Sequence, residues 1–196
     1  MTSFKQQGHQ AKRTMSRVRA FVALGLVATA TAAANANANA TDQPQYHRHG
    51  CSNARTITVN PPTLLDPTPF GYKHITLDTR NAVAYVAGQV AFSLGGQIVW
   101  GTLNEQLVLT EQNLKFALSA LDADVQDIMR MNVFVKNFQQ NQDLPVLEPF
   151  LFRMGSPVDA VLGVTSLAID GLLVEVQMTV AVKQATVDRI RCSRKA

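Results

Sequence analysis

From Thr58 onward the chain alternates between two hydrophobic periods. "YKHITLD" and "AVAYVAGQVAF" repeat every second residue, the spacing of strands with one buried face, and the polar "TRNA" between them predicts a turn joining a pair. "GQIVW", after Gly95 and Gly96, predicts a further short strand. The period then lengthens. In "TLNEQLVLTEQNLKFALSALDA", Leu103, Leu107, Leu114, Leu118 and Leu121 recur at helical intervals, Glu105, Gln106, Gln112 and Lys115 take the polar face, and Thr102 and Glu105 stand at capping-box spacing. "DIMRMNVFVKNF" returns to alternation, with Met129, Met131, Val133 and Val135 inward against Arg130, Asn132 and Lys136. A second, shorter helix is expected after Asp143, with Pro145 in its first turn, where a missing N–H does no harm. "DAVLGVTSL" and "LLVEVQMTVAVKQ", linked by a turn at "AIDG", supply the last strands. In the second of these, Leu172, Val174, Val176, Met178, Val180 and Val182 share one face, and Glu175, Gln177, Thr179 and Lys183 the other. Strand, strand, helix, strand, helix, strand, strand predicts an α+β domain, a mixed sheet with two helices on one face. The uncovered face is left for self-association.

The first forty residues follow a different rule. Lys5, Lys12, Arg13, Arg17 and Arg19 carry all their charge, and the apolar run "AFVALGLVATATAAA" and then "NANANA" follow. Basic region, short apolar core and A-x-A sites at Ala34 to Ala40 are the order of a secretory signal, here residues 1–40, with an organelle transit peptide as the rival reading. The apolar core is too short and alanine-rich for a bilayer of roughly 30 Å, which needs about 20 strongly apolar residues, so no membrane association is expected once it is removed. The predicted location is periplasmic or extracellular.

Removing the signal changes the charge balance. Of 18 Lys and Arg, five precede Thr41, leaving 13 against 14 acids. Between Ile57 and Ala185 there are 7 basic and 12 acidic residues, a balance that repels a phosphate backbone and excludes nucleic acid as the expected partner. Residues 41–56, "TDQPQYHRHGCSNART", have linker composition, residues 57–185 form the domain, and residues 186–196 read as a solvated basic tail. His47 and His49 are too sparse for a metal centre, and no His/Cys cluster with ligand spacing occurs, so no metal site is expected. Cys51 and Cys192 bracket the domain, either as one disulfide closing a long loop or as two free thiols on separate ends.

Several segments together resemble the YjgF/RidA family, also called L-PSP endoribonuclease-like. They are "PFGYKH" with "VAYVAGQVAF", then "EQNLKFALSALDADVQDIMRMNVFV", then "SPVDAVLGVTSLAIDGLLVEVQMTVAV". The resemblance runs from about Thr58 to Lys183 and is most specific at Gly88-Gln89, at Asn113-Leu114 and at the closing "LVEV". It implies a chorismate-mutase-like fold, assembly as a homotrimer with the sheets forming a barrel, and a small-molecule cleft at each subunit interface. It also implies hydrolysis of reactive enamines and imines to keto acids and ammonia, with no cofactor. The chemistry needs a grip on the substrate carboxylate and a positioned water.

By that resemblance Tyr72 and Glu175 fall on the catalytic tyrosine and glutamate, and Gly88, Gln89, Lys73 and His74 on the substrate-binding segments. The arginine that clamps the carboxylate in such relatives falls on Asp159, the helix asparagine on Leu144, and the small or thiol residue on Val161. Lys73 stands where serine is usual. An acid in place of the clamp turns attraction for an anion into repulsion, about 4 kcal/mol at 4 Å near a protein surface. The expectation is an exported small-molecule-binding relative in which imino-acid deamination is lost or altered; the alternative is an active 2-iminobutanoate/2-iminopropanoate deaminase with a rearranged pocket. Read without the resemblance, Glu175 and Asp159 are solvent-facing acids, Tyr72 a packing aromatic and His74 structural.

Overall fold

The protein is described from a computed structural model, over residues 51–193, the Val158 side chain apart. The predicted signal segment, His47, His49 and most of the predicted linker lie outside the described residues.

One six-stranded sheet organises the domain, in the order β1-β2-β3-β6-β4-β5. Strand β1 spans Thr56–Val59, β2 Ile75–Asp78, β3 Val83–Gln89, β4 Ile128–Lys136, β5 Val158–Val164 and β6 Val174–Ala181. Helices α1 (Leu103–Ala120), α2 (Gln140–Arg153) and α3 (Gln184–Cys192) complete it. β2 and β3 pair antiparallel across the predicted turn, with Asp78 opposite Val83. Asp78 builds that turn itself, accepting from the Arg80 and Asn81 N–H groups at 2.9 and 3.2 Å. β4 and β5 are parallel neighbours joined through α2, whereas β6 inserts between β3 and β4, antiparallel to both. The result is a mixed sheet with a split βαβ unit.

The core lies on one face of the sheet. Val174, Val176, Met178 and Val180 of β6 are buried alternately, as their period requires, against Leu107, Leu114, Ala117 and Leu118 of α1 and Leu147 and Phe150 of α2. Helix α1 begins as expected: the Glu105 N–H donates to Thr102 Oγ1 at 3.3 Å and the Thr102 N–H donates to Glu105 Oε2 at 2.7 Å.

Several expectations are corrected. "GQIVW" is not a strand but one bridge, Phe92 with Ile98, closing a turn over Ser93 to Gly96. Met129 is not inward. The β4 to β6 register shifts between Ile128 and Arg130, so Ile128 enters the core and Met129 is 52% exposed; one bulged residue reverses the parity of the strand's start. Helix α2 starts earlier than expected, at Gln140, because Asp143 reaches back to accept from the Gln139 N–H at 2.6 Å. Pro145 and Pro149 are therefore inside it, each removing one helical hydrogen bond.

The basic C-terminal segment is a packed third helix rather than a solvated tail. Thr186, Val187 and Ile190 form its buried stripe, while Arg189 pairs with Asp122 at 2.8 Å just beyond the end of α1. Of the two readings of the cysteines, the structure has the disulfide, Cys51 to Cys192. Beside it the Ser52 N–H donates to the Arg191 carbonyl at 2.8 Å and Arg191 Nε donates to the Ser52 carbonyl at 2.9 Å.

Candidate functional site

The site begins at an irregularity. Between Val86 and Gln89 strand β3 carries one residue more than β6, a bulge that contains Ala87 and Gly88. A Cβ on Gly88 would occupy the place of the Glu175 carboxyl, so glycine here is what lets that side chain lie across the strand. Glu175, on the non-core face of β6, is half-buried, and burial pushes its carboxyl above the ordinary value against an opposing hydrogen bond from Gln177.

Tyr72 reaches the same place from the loop before β2. A 3-10 turn at Thr68–Phe70 ends on Gly71 at φ 72, a left-handed conformation glycine adopts freely, and the chain then presents Tyr72 edge-on to His74 with centroids 5.2 Å apart. Burial raises the Tyr72 phenol, which keeps its proton. His74 is buried, its Nε2 donating to the Leu65 carbonyl at 2.7 Å and its Nδ1 3.3 Å from Gln89 Nε2. Gln89 also donates to the Ala87 carbonyl at 3.0 Å, so the buried pair ties the Tyr72 loop to the bulge.

Beside them opens a cleft of about 370 Å³. Tyr72, Gly88 and Glu175 form its polar part; Phe70, Phe92, Ile169 and Leu172 are its main apolar walls. Two buried amides of α1 hold those walls. Asn113 Nδ2 donates to the carbonyls of Val90 and Phe92 at 3.0 and 2.9 Å. Gln106, expected on the polar outer face, is fully buried: its Nε2 donates to the Gly171 carbonyl at 2.7 Å and its Oε1 accepts from the Leu173 N–H at 2.8 Å. Together they do for the connecting segments what a strand ladder does elsewhere. The sequence signal for this was Gln106, Thr110 and Asn113 at helical spacing, an uncharged polar stripe adjoining the leucines. Gln106→Ala is expected to destabilise by about 1 to 3 kcal/mol by leaving two backbone groups unpaired. Hydrogen exchange at the Leu173 amide should rise more than at Val176; equal protection would remove Gln106 from this role.

Chemically, a carboxyl with raised proton affinity beside a protonated phenol can take a proton from a water or hold a cation. The shift also predicts a pH effect. The folded state binds the Glu175 proton more tightly than the unfolded state, so its contribution to stability is largest below the ordinary carboxylate range and fades as pH rises through the raised value. Glu175→Gln should therefore flatten the loss of Tm on going from acid toward neutral pH; an unchanged profile would place the carboxyl in water.

Of the residues expected at a site, Tyr72, Gly88 and Glu175 line this cleft, while His74 and Gln89 sit beside Tyr72 and Gly88 in an adjoining pocket. The others do not join them within one chain. Asp159 is exposed on edge strand β5, opposite Met131, while Glu175 lies opposite Phe134. Because residues three apart on β4 point to opposite faces, Asp159 and Val161 belong to the helix-bearing face and Glu175 to the other. Leu144 is half-buried on α2, and Lys73 is exposed beside Tyr72 without lining the cleft. Arg153 is engaged elsewhere, with Glu111 at 2.9 Å. Burial raises the Glu111 carboxyl, and hydrogen bonds from Arg153 and Lys115 outweigh it, leaving a net lowered value. Among the described residues no group of three or more His, Cys, Asp or Glu is placed to hold a metal, and no helix is long and apolar enough to cross a membrane.

A split βαβ sheet with its cleft at a bulge of β3, under a single glutamate of β6, defines a small α+β cleft protein. The sequence model of the family described as Endoribonuclease L-PSP matches residues 68–182, and the chain belongs to that family. A 2-iminobutanoate/2-iminopropanoate deaminase of Dermatophagoides farinae is 26% identical over 109 residues, which span 54% of this chain and 82% of that protein. Among solved structures, yeast Mmf1 is similar with a TM-score of 0.57 at 21% identity, over 65% of this chain and 99% of its own. The Rid-family protein YyfA of Yersinia pestis has a TM-score of 0.57 at 17% identity, over 65% and 99%. At these identities the structures speak for the fold, which is the YjgF/RidA fold.

Proposed function

We propose that the protein is an exported, homotrimeric relative of the imine deaminases in which the cleft is completed between copies and deamination of small 2-imino acids is lost or altered. The observation that carries this is Asp159 at the position where the resemblance places a carboxylate-clamping arginine. Its place on the helix-bearing face of an edge strand, with Glu175 on the other face, fits a site assembled from two copies, since one chain cannot bring the two side chains together. The likeness to a deaminase of Dermatophagoides farinae supports the reaction class, and an active deaminase with a rearranged pocket is the second reading it favours. Against that second reading stands the supply of positive charge. Arg153 is paired with Glu111, and both ring nitrogens of His74 are already in use. Export is supported by the Cys51–Cys192 disulfide, a bond that persists in oxidising compartments.

Asp159→Arg tests the assignment. In a coupled assay that generates 2-iminobutanoate with threonine dehydratase, the variant should release 2-ketobutanoate at least about tenfold faster than wild type, a small part of the electrostatic reversal. A variant that stays trimeric and gains nothing would show that residue 159 is not the determinant.

A further inference from the structure

The chemistry of the cleft around Glu175 is one-sided. Its walls at Phe70, Phe92, Ile169 and Leu172 are apolar, Tyr72 is held neutral, and among the described residues no lysine, arginine or histidine lines it. Glu175 is the one acid on that lining. The carboxylate is half-buried and makes none of the ion pairs found among the described residues. Such a carboxylate is under-compensated, and a ligand that brings a positive charge restores what burial removes. An anionic ligand meets the same group as a repulsion, with no cation on the lining to offset it. The volume, about 370 Å³, suits a body of one ring or a branched chain.

We propose that this cleft takes an apolar monocation lacking a carboxylate, an amine or protonated imine on an aromatic or branched aliphatic body, with the nitrogen at Glu175 and the body against Phe70, Phe92 and Ile169. The assignment rests on the reading above that the carboxylate grip is gone, and it names what replaces the imino acids. Gly88 is part of the recognition, because only a residue without Cβ leaves the carboxyl its position over the bulge.

The test compares three probes of one shape, 2-phenylethylamine, 2-phenylethanol and phenylacetate, by calorimetry and thermal shift on the mature oxidised protein at neutral pH. The amine is expected to bind at least about tenfold tighter than the alcohol, and phenylacetate more weakly than either. Glu175→Gln should bring amine and alcohol level without abolishing alcohol binding. If that variant does not fold, the same comparison on wild type carries the test, since the preference for the amine must fade as acid protonates the carboxyl. Binding of phenylacetate as tight as the amine, a preference for the amine that survives Glu175→Gln, or no binding of any probe would each overturn the proposal. Hydrolysis of 2-iminobutanoate by the same preparation would instead overturn the underlying reading, so the two failures are separable.

Discussion

Replacing Cys51 with serine should lower the stability of the protein by about 2 to 5 kcal/mol, the range for losing a native disulfide, and lower Tm by on the order of 10 °C. Cys51 and Cys192 are 141 residues apart in sequence, so the bond closes almost the whole domain into a loop and restricts the unfolded chain accordingly. In the folded state it joins the segment ahead of β1, an edge strand, to the end of α3. The bonds between Ser52 and Arg191 lie alongside, and Arg189 fixes the same helix to Asp122. Without the bond, α3 and β1 should be the first elements to open, because each then relies on few contacts of its own. Thermal unfolding with and without reductant, with Cys51→Ser as the control, measures this. Equal Tm under all three conditions would mean the ends are held by packing alone.

Gly88→Ala is the second large effect. The added methyl group would coincide with the Glu175 carboxyl, and the strand on which it sits is tied on one side to β2 and on the other to β6. Overpacking of this kind costs typically about 1 to 3 kcal/mol, and the flexible partner that can yield is the Glu175 side chain. The carboxyl is therefore expected to swing out of the cleft into water. Two readouts follow from one substitution: a loss in urea midpoint, and disappearance of the difference in acid-to-neutral stability change between Glu175 and Glu175→Gln backgrounds. A Gly88→Ala protein that keeps that difference would show that the carboxyl had another position available inside the cleft.

The sequence and the structure agree where spacing alone decides. Val174, Val176, Met178 and Val180 are inward because an uninterrupted strand has no other option, and Thr102 caps α1 because Glu105 is three residues on. They part where a distant segment decides. Met129 faces out because β6 imposes a bulge on β4, and Gln106 is inside because a backbone 65 residues away needs both ends of its amide. The C-terminal helix reads as a charged tail until Val187 and Ile190 meet a core contributed by the rest of the domain.

For the site, Tyr72 ahead of β2, Gly88 of β3 and Glu175 of β6 were legible, and they gather at one cleft. The apolar walls at Phe70 and Ile169 were not, since loop residues of that kind carry no period, and Leu172, which continues the strand period, lies just ahead of β6 and lines the cleft. Nor was the separation of Asp159 from Glu175, which depends on the parity of two registers, Met131 with Asp159 and Phe134 with Glu175. Spacing along one strand could not have revealed it.

The most direct measurement is the rate at which the wild-type, oxidised protein converts 2-iminobutanoate, supplied by threonine dehydratase, to 2-ketobutanoate. On the proposed assignment of Asp159 to the position of the carboxylate grip, kcat/KM should fall about a thousandfold or more below that of a family member carrying the arginine, the equivalent of roughly 4 kcal/mol. A rate equal to that relative's would contradict the account.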